Sequence, residues 1–280
     1  MGSLREEDLL ESRKEREGLY FHLLKTLDGS YSASSSSSEK MDQESMHSSQ
    51  GAFTETEYIY GEAIQFCLEQ IQHAHFVNLG LGIGYNEMSI FCRAITRLPD
   101  LKESLSKTDF QILDRFKIKI TSFELHSELN QHFLDYLKDD CKNPMLKKAY
   151  DHIFSLYLEK FELTAIQVKT YALALYDAGL WRLQEEVLAN YQSLEKVNCY
   201  LFDAYSKSAS SELWSPHFLE SFLEKADDKS ILSTYAATGD LNRALRSRGF
   251  WIHSRAGFAF KRQSTWAIKG LPKELPPDTL

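Results

Sequence analysis

The segment Val77-Asn78-Leu79-Gly80-Leu81-Gly82-Ile83-Gly84 constrains this chain more than any other. An apolar run over His75–Leu79 leads into it, and a helical pattern over 86–98 follows it. Glycines at alternate positions let the backbone approach a ligand with no Cβ in the way. A helix N-terminus behind them offers free N–H groups. The spacing is GxGxG. The dinucleotide fingerprint places its third glycine one residue later, where this chain has Tyr85. A tight turn with no ligand is the other reading of the same three glycines.

The surrounding pattern supplies a frame for the loop. Residues 116–123 alternate and are β-branched, predicting a strand, and 127–138 predict a helix. The short apolar runs 172–176, 198–202 and 231–235 predict further strands, each followed by helical spacing. Strands alternating with helices indicate βαβ units and a parallel sheet. Near the end, 250–255 and 257–261 flank an Ala-Gly turn, with 264–268 close behind. That pattern predicts a hairpin and an antiparallel strand closing the sheet. Residues 152–161 and 165–176 read as a second hairpin, or the first of them as a helix. Upstream, 4–27 read as a charged helix with a narrow leucine stripe. The Ser-rich stretch 28–51 predicts a flexible loop, or a loop that orders over a ligand. The expected layout is a helix plus loop over 1–53, one α/β domain over 54–270 and a tail over 271–280.

Charge and cysteine usage narrow the classes. The 280 residues carry 32 Lys and Arg against 40 Asp and Glu, a net charge of −8, which argues against a uniformly basic nucleic-acid binder. Residues 241–280 alone hold eight basic and two acidic residues, net +6, so the remainder carries −14. A local basic end on an acidic body is compatible with RNA contact there, or with ordinary solvated charge. Cys67, Cys92, Cys141 and Cys199 have at least 24 residues between neighbours. They suit neither a zinc site nor a disulfide framework, so free thiols and no metal are expected. There is no apolar leader and no run of about 18 apolar residues, which predicts a cytoplasmic protein without a membrane span.

A GxGxG loop after a first strand resembles motif I of the class I S-adenosylmethionine (SAM) methyltransferases. Three acidic residues follow at the carboxyl ends of predicted strands, where ligands bind in open α/β sheets. Glu124 can accept the ribose hydroxyls of a nucleoside cofactor, or cap the helix after it. Asp177 can accept an adenine amino group, or cap a helix beside Gly179. Asp203, two residues before Tyr205, can hold and deprotonate an amine while the ring faces the sulfonium methyl. A capping Asp beside a core-edge Tyr is the plainer alternative.

Across 28–270 the chain resembles the methyltransferase domain of the MnmC family, which makes the 5-methylaminomethyl group of the tRNA wobble uridine. Met46-His-Ser-Ser, Gly51-Ala-Phe-Thr-Glu55-Thr-Glu-Tyr58 and Tyr60-Gly61-Glu62-Ala-Ile-Gln65 are similar to that family's N-terminal segment. Gly80-Leu-Gly82-Ile-Gly84-Tyr-Asn86 resembles G-x-G-T-G-x-N, and Ser122-Phe-Glu124 resembles S-x-E. Tyr176-Asp177 stands where the family has Gly-Asp. Asp203-Ala-Tyr205 through Trp214 resembles D-G-F-A-P-x-x-N-P-x-x-W. Thr234-Tyr-Ala-Ala-Thr-Gly239, Arg243, Gly249-Phe250 and Gly257-Phe-Ala-Phe-Lys261-Arg262 are similar to its C-terminal motifs. Ile83, Asn78, Ala204, Ser206 to Ser211 and Asn242 depart from the pattern.

The resemblance implies a Rossmann-like α/β fold, mostly parallel, closed by a C-terminal antiparallel hairpin. It implies SAM held by Asn78, Gly80, Gly82, Gly84, Asn86, Glu124, Asp177 and Glu62. Asp203 and Tyr205 would be catalytic, and Arg243, Lys261 and Arg262 would meet RNA. The implied reaction is SAM-dependent N-methylation of the aminomethyl group of the modified wobble uridine of tRNA. The family's FAD-dependent oxidase half is not covered, so any deglycination is expected to need a separate oxidase partner. Methylation of a small-molecule or protein amine, and a non-catalytic SAM-binding module, remain the other readings.

Overall fold

The computed structural model describes residues 21–35, 46–98, 100, 102–103, 118–185, 187, 193, 195–259 and 262–272. Two strands, β1 (Phe21–Lys25) and β2 (Tyr31–Ser35), pair antiparallel in a sheet of their own. The main sheet has seven strands: β3 (His75–Leu79), β4 (Lys119–Phe123), β5 (Trp181–Gln184), β6 (Val197–Phe202), β7 (Ala226–Thr234), β8 (Trp251–Ala256) and β9 (Gln263–Lys269). Their order is β5-β4-β3-β6-β7-β9-β8. The first five in that order are parallel, and β9 runs antiparallel to both β7 and β8. The sheet is therefore mostly parallel and closed by a C-terminal antiparallel hairpin.

Seven α-helices are assigned among the described residues, besides a 3₁₀ turn at Ser211–Trp214. The first, α1, is composite: Ala52–Thr56, then a wider π-type turn over Glu57–Gly61, then Glu62–Gln70. The others are α2 (Tyr85–Arg97), α3 (Ser127–Leu137), α4 (Pro144–Phe161), α5 (Ala165–Asp177), α6 (Pro216–Phe222) and α7 (Gly239–Ser247). Helices α1 to α5 pack on one face of the sheet around Phe76, Ile120, Trp181 and Ile231. Helices α6 and α7 cover the other, around Val77, Tyr200, Phe202 and Leu232. Covered on both faces, β3 is buried at all five positions, as expected of a central parallel strand. Since β3 has β4 on one side and β6 on the other, the chain reverses its winding there. That reversal opens a crevice beyond the carboxyl ends of β3, β4 and β6.

Three expectations need correction. Within the helix predicted over 4–27 and the loop over 28–51, the structure has the β1–β2 hairpin. The turn at Asp28-Gly29-Ser30 closes with Thr26 N–H on the Ser30 carbonyl at 2.8 Å, and Gly29 is left-handed at φ +85°. The hairpin is tied to the main body. Tyr85 O–H donates to the Tyr31 carbonyl (2.7 Å), and Tyr31 N–H donates to the Tyr85 hydroxyl (3.1 Å). The parts of those expectations over 1–20 and 36–45 lie outside the described residues.

Secondly, 152–161 and 165–176 are helical, within α4 and α5. The run 172–176 is the last part of α5, not a strand. Its Thr164 hydroxyl and Gln167 side chain form a reciprocal capping box at the start. Thirdly, 257–259 turn rather than extend, and β8 pairs instead with β9, Ala256 opposite Gln263.

Candidate active site

A cavity of about 640 Å³ fills the crevice, within the ~300–1,000 Å³ range of cofactor and ligand sites. Its floor is the glycine loop. The Gly80 and Leu81 N–H groups both donate to the Phe123 carbonyl, at 3.0 and 2.9 Å. Gly80 is at φ +103°, and a Cβ there would stand 2.6 Å from the Asp203 carbonyl oxygen. Only glycine allows β3 and β6 to end this close together. Gly84 caps α2 at φ +85°, where a Cβ would strike the Phe133 ring at 2.7 Å. Gly80, Gly82 and Asn86 line the cavity; Gly84 shapes the turn behind it.

Glu124, at the end of β4, lines the cavity and is nearly buried. Its Oε2 accepts the Gly82 N–H (2.7 Å) and its Oε1 accepts the His126 N–H (2.9 Å). The two bonds orient the carboxyl, and each oxygen keeps a second lone pair. Burial raises its pKa above the ordinary value, against the pull of those backbone donors.

Asp203, just past β6, is pinned at its backbone by N–H donation to the Leu79 carbonyl (2.9 Å). Two neutral donors hold its carboxyl. Tyr60 O–H donates to Oδ1 at 2.7 Å, and Asn86 Nδ2 donates to Oδ2 at 3.2 Å. Tyr60 comes from the π-type turn of α1, a feature often found at functional sites. Burial and the Asp203 charge together push the Tyr60 hydroxyl well above its ordinary pKa, so it stays a donor. Behind the wall, Asn78 is fully buried and donates to Glu87 Oε1 at 2.6 Å.

The cavity wall carries Glu124, Glu185, Asp203 and Glu212, and none of the described lining residues is Lys or Arg. Tyr205 and Tyr235 supply aromatic faces, and Tyr235 O–H is anchored on the Ala204 carbonyl (2.8 Å). Met46, His47 and Ser48 complete the wall opposite the sheet. The Met46 sulfur lies so near Gly82 that a Cβ there would meet it at 3.1 Å. Such a lining suits a cationic ligand with a flat aromatic part, and the open cradle at Gly80 and the carboxylate at Glu124 fit a nucleoside. These residues fit SAM. Among the described residues no cluster could hold a metal ion, and no helix is long and apolar enough to cross a membrane.

Several site expectations fall elsewhere. Asp177 ends α5, is exposed, and does not line the cavity, because the element before it is a helix. The acidic residue beyond the third parallel strand is Glu185, directly after β5. Glu62 does not line the cavity either. Its carboxylate is bonded to Arg255 at 2.7 Å, and the guanidinium lies 4.5 Å from both the Tyr58 and Trp266 ring centres. Arg243 is exposed and paired with Asp240, Arg262 is exposed, and Lys261 lies outside the described residues. Sequence reading missed Tyr60, Glu185 and Glu87. For Glu185 the available signal was an acidic residue closing the run Trp181-Arg-Leu-Gln184.

Strand order and glycine loop are those of the class I SAM-methyltransferase fold. The model of a family described as S-adenosyl-L-methionine-dependent methyltransferase matches residues 144–270. The chain is also similar to MnmC proteins. The tRNA 5-methylaminomethyl-2-thiouridine biosynthesis bifunctional protein MnmC of Campylobacter hominis is 24% identical over 211 residues, 75% of this chain and 28% of that protein. The protein of the same name from Legionella pneumophila is 26% identical over 123 residues, 42% of this chain and 17% of that one. The matched region thus spans less than a third of these relatives. The crystal structure of MNMC2 from Aquifex aeolicus shares the fold, with a TM-score of 0.55 and 20% identity over 95% of this chain and 77% of that one.

Proposed function

We propose that this protein methylates a primary amine with SAM, and that the amine is the aminomethyl group of the modified wobble uridine of tRNA, in the cytoplasm. The observation that carries the reading is Asp203, a carboxylate on the cavity wall held from two sides by Tyr60 and Asn86. Gly80, Gly82 and Glu124 are the residues to hold SAM, with Asn78 and Gly84 shaping the loop and Glu185 replacing Asp177 at the third strand end. SAM, when bound, supplies an electrophilic methyl group on a sulfonium sulfur.

A primary amine at neutral pH is largely an ammonium ion with no lone pair to attack. Asp203 attracts that cation, accepts its proton, and leaves the nitrogen nucleophilic. The donors on both Asp203 oxygens hold the carboxyl still, so the acceptor is aligned by a fixed group. Tyr205 and Tyr235 wall the acceptor space and exclude water. The base would be turned out of its stack to enter. Relation to MnmC supports tRNA as the acceptor, and exposed Arg243 and Arg262 are candidates for phosphate contact.

The test is mass spectrometry of nucleosides from undermodified tRNA incubated with protein and SAM, run beside a panel of free amines and lysine peptides. Methylated wobble uridine is expected. Methyl transfer only to the free amines or peptides would place the acceptor in another class. Asp203→Ala should lower methyl transfer by ~10²–10⁴-fold while SAM affinity by calorimetry stays within a few-fold.

A further inference from the structure

A chain of hydrogen bonds links Trp181 to Asp203 behind the glycine loop, its donors converging on Glu87 and diverging from Asn86. It begins at the buried indole of Trp181, whose N–H can only donate. That group donates to Ser122 Oγ at 3.2 Å. Ser122 in turn donates its own hydrogen to Glu87 Oε1 at 2.7 Å. Asn78 Nδ2 donates to the same oxygen at 2.6 Å. The other hydrogen of that group goes to the Gly80 carbonyl at the longer distance of 3.3 Å, and the two acceptors fix Asn78 with its Oδ1 toward Asn86. Asn86 Nδ2 has two hydrogens, and gives one to Asn78 Oδ1 (3.1 Å) and one to Asp203 Oδ2 (3.2 Å).

The direction of every amide depends on the centre of the chain. If Asn78 turned over, its oxygen would face Glu87 Oε1, acceptor against acceptor. Asn86 would then have to present its oxygen to one of its two partners, and that reversal would set an acceptor against Asp203. Glu87 prevents it. The side chain is fully buried, and its Oε2 has no hydrogen-bond partner among the described residues. A proton taken up by Glu87 therefore belongs on Oε2, and Oε1 accepts in both protonation states. Such a buried carboxyl is costly unless bonded, and no step of the mechanism above uses it.

We propose that Glu87 is a positioning residue for methyl transfer: as the acceptor at the centre of this chain, it orients Asn78 and Asn86 and so keeps an N–H donor on Asp203. The inference rests on the reading of Asp203 as the proton acceptor. It assigns Asn86 to the catalytic carboxylate rather than to the cofactor.

The test reads Asp203 directly and needs no methyl acceptor. Protein with ¹³C-carboxyl aspartate is titrated by infrared spectroscopy, and the Asp203 band is assigned by its loss in Asp203→Asn. Glu87→Leu keeps similar bulk but removes the acceptor. Its Asp203 titration should move up by roughly one pH unit, as expected for weakening one hydrogen bond to a charged group. Glu87→Gln can place its own oxygen at the Oε1 position and should restore the wild-type titration. In an Asn86→Ala background, which removes the donor itself, Glu87→Leu should add nothing. An unmoved titration in Glu87→Leu overturns the proposal. So does a full additional shift in the Asn86→Ala background, or a Glu87→Gln variant that behaves like Glu87→Leu. Absence of tRNA methylation by the wild-type protein would instead overturn the substrate assignment and leave these outcomes readable.

Discussion

At the scale of single residues, the site is built from side chains that are expensive to bury and are kept by their neighbours. Glu87 is the sharpest case. Burial, reinforced by the charge of Glu124, pushes its pKa up to about 7 from an ordinary value of 4.5, although Ser122 and Asn78 pull the other way. The consequence for stability has a definite sign. Between those two pH values the unfolded chain has released the proton and the folded chain still holds it. The stabilising contribution is complete below the unfolded value and is lost as pH rises through the folded one. Burial raises Glu124 as well, which adds in the same direction. Glu87→Gln removes the titration and should gain stability relative to wild type between pH 5 and 8, by on the order of 3 kcal/mol. Urea unfolding across that range checks it, with equal m-values required for the comparison. Parallel stability curves for the two proteins would mean that Glu87 is ionised in the fold throughout.

At the scale of elements, what was legible in the sequence depended on whether a local pattern had one structural meaning. The glycine loop had one, because Gly80 is required by the Asp203 carbonyl 2.6 Å from any Cβ. The strand ends carrying Glu124 and Asp203 were readable for the same reason: a short apolar run, then a carboxylate, then a helix. The run over 172–176 had two meanings. Leu and Ala on a largely buried helix look like a buried strand when only a few residues are considered. The pair Thr164 and Gln167, spaced as a capping box, was the local sign of a helix start. The π-type turn carried no sequence signal at all, since its shape is set from outside. The Ile59 carbonyl accepts from Ser233 Oγ (2.6 Å) and Trp266 Nε1 (3.3 Å), and the Tyr58 carbonyl accepts from Arg255 (3.2 Å). Those partners come from β7, β8 and β9, about two hundred residues downstream. They bond the carbonyls of this turn from outside, and Tyr60 of the same turn donates to Asp203. Glu62 belongs to this same docking of α1 on the sheet. Glu62→Ala would take this carboxylate from Arg255, whose side chain is 2% exposed. Breaking a buried pair from one side costs about 3–5 kcal/mol, so chemical denaturation should show a loss of that order. SAM affinity of the folded protein should be unchanged. A large loss of SAM binding with little loss of stability would return Glu62 to the cofactor site.

At the scale of the whole molecule, the distribution of charge separates the two halves of the proposed reaction. The cavity wall is anionic, with Glu124, Glu185, Asp203 and Glu212 on it, which favours a sulfonium and an ammonium and disfavours phosphate. On the proposed reaction a polyanion would be held outside the cavity, with one nucleotide reaching in. Helix α7 offers the place. It starts just beyond β7, next to Tyr235 on the cavity wall, and its exposed side carries Arg243 and Arg246. Lys207, from the loop that rims the cavity, meets Asp240 of the same helix at 2.9 Å, and Arg243 pairs with that carboxylate too. The three cations are exposed, and Asp240 holds two of them in place. Exposed pairs of this kind add little to stability, ~0–1 kcal/mol each, so replacing them should leave the fold intact. Binding of undermodified tRNA should weaken steeply with salt, since each neutralised phosphate releases counterions. Replacing Lys207, Arg243 and Arg246 together by Ala should weaken binding at low salt and flatten the plot of log affinity against log salt. The expected change in slope is up to about 0.7–0.9 for each phosphate that the variant no longer neutralises. SAM affinity, read by calorimetry on the same protein, should stay where it was. A triple variant that binds tRNA with the wild-type slope would move the RNA surface away from α7, and an absence of salt dependence in the wild-type protein would remove the polyanion from the reading.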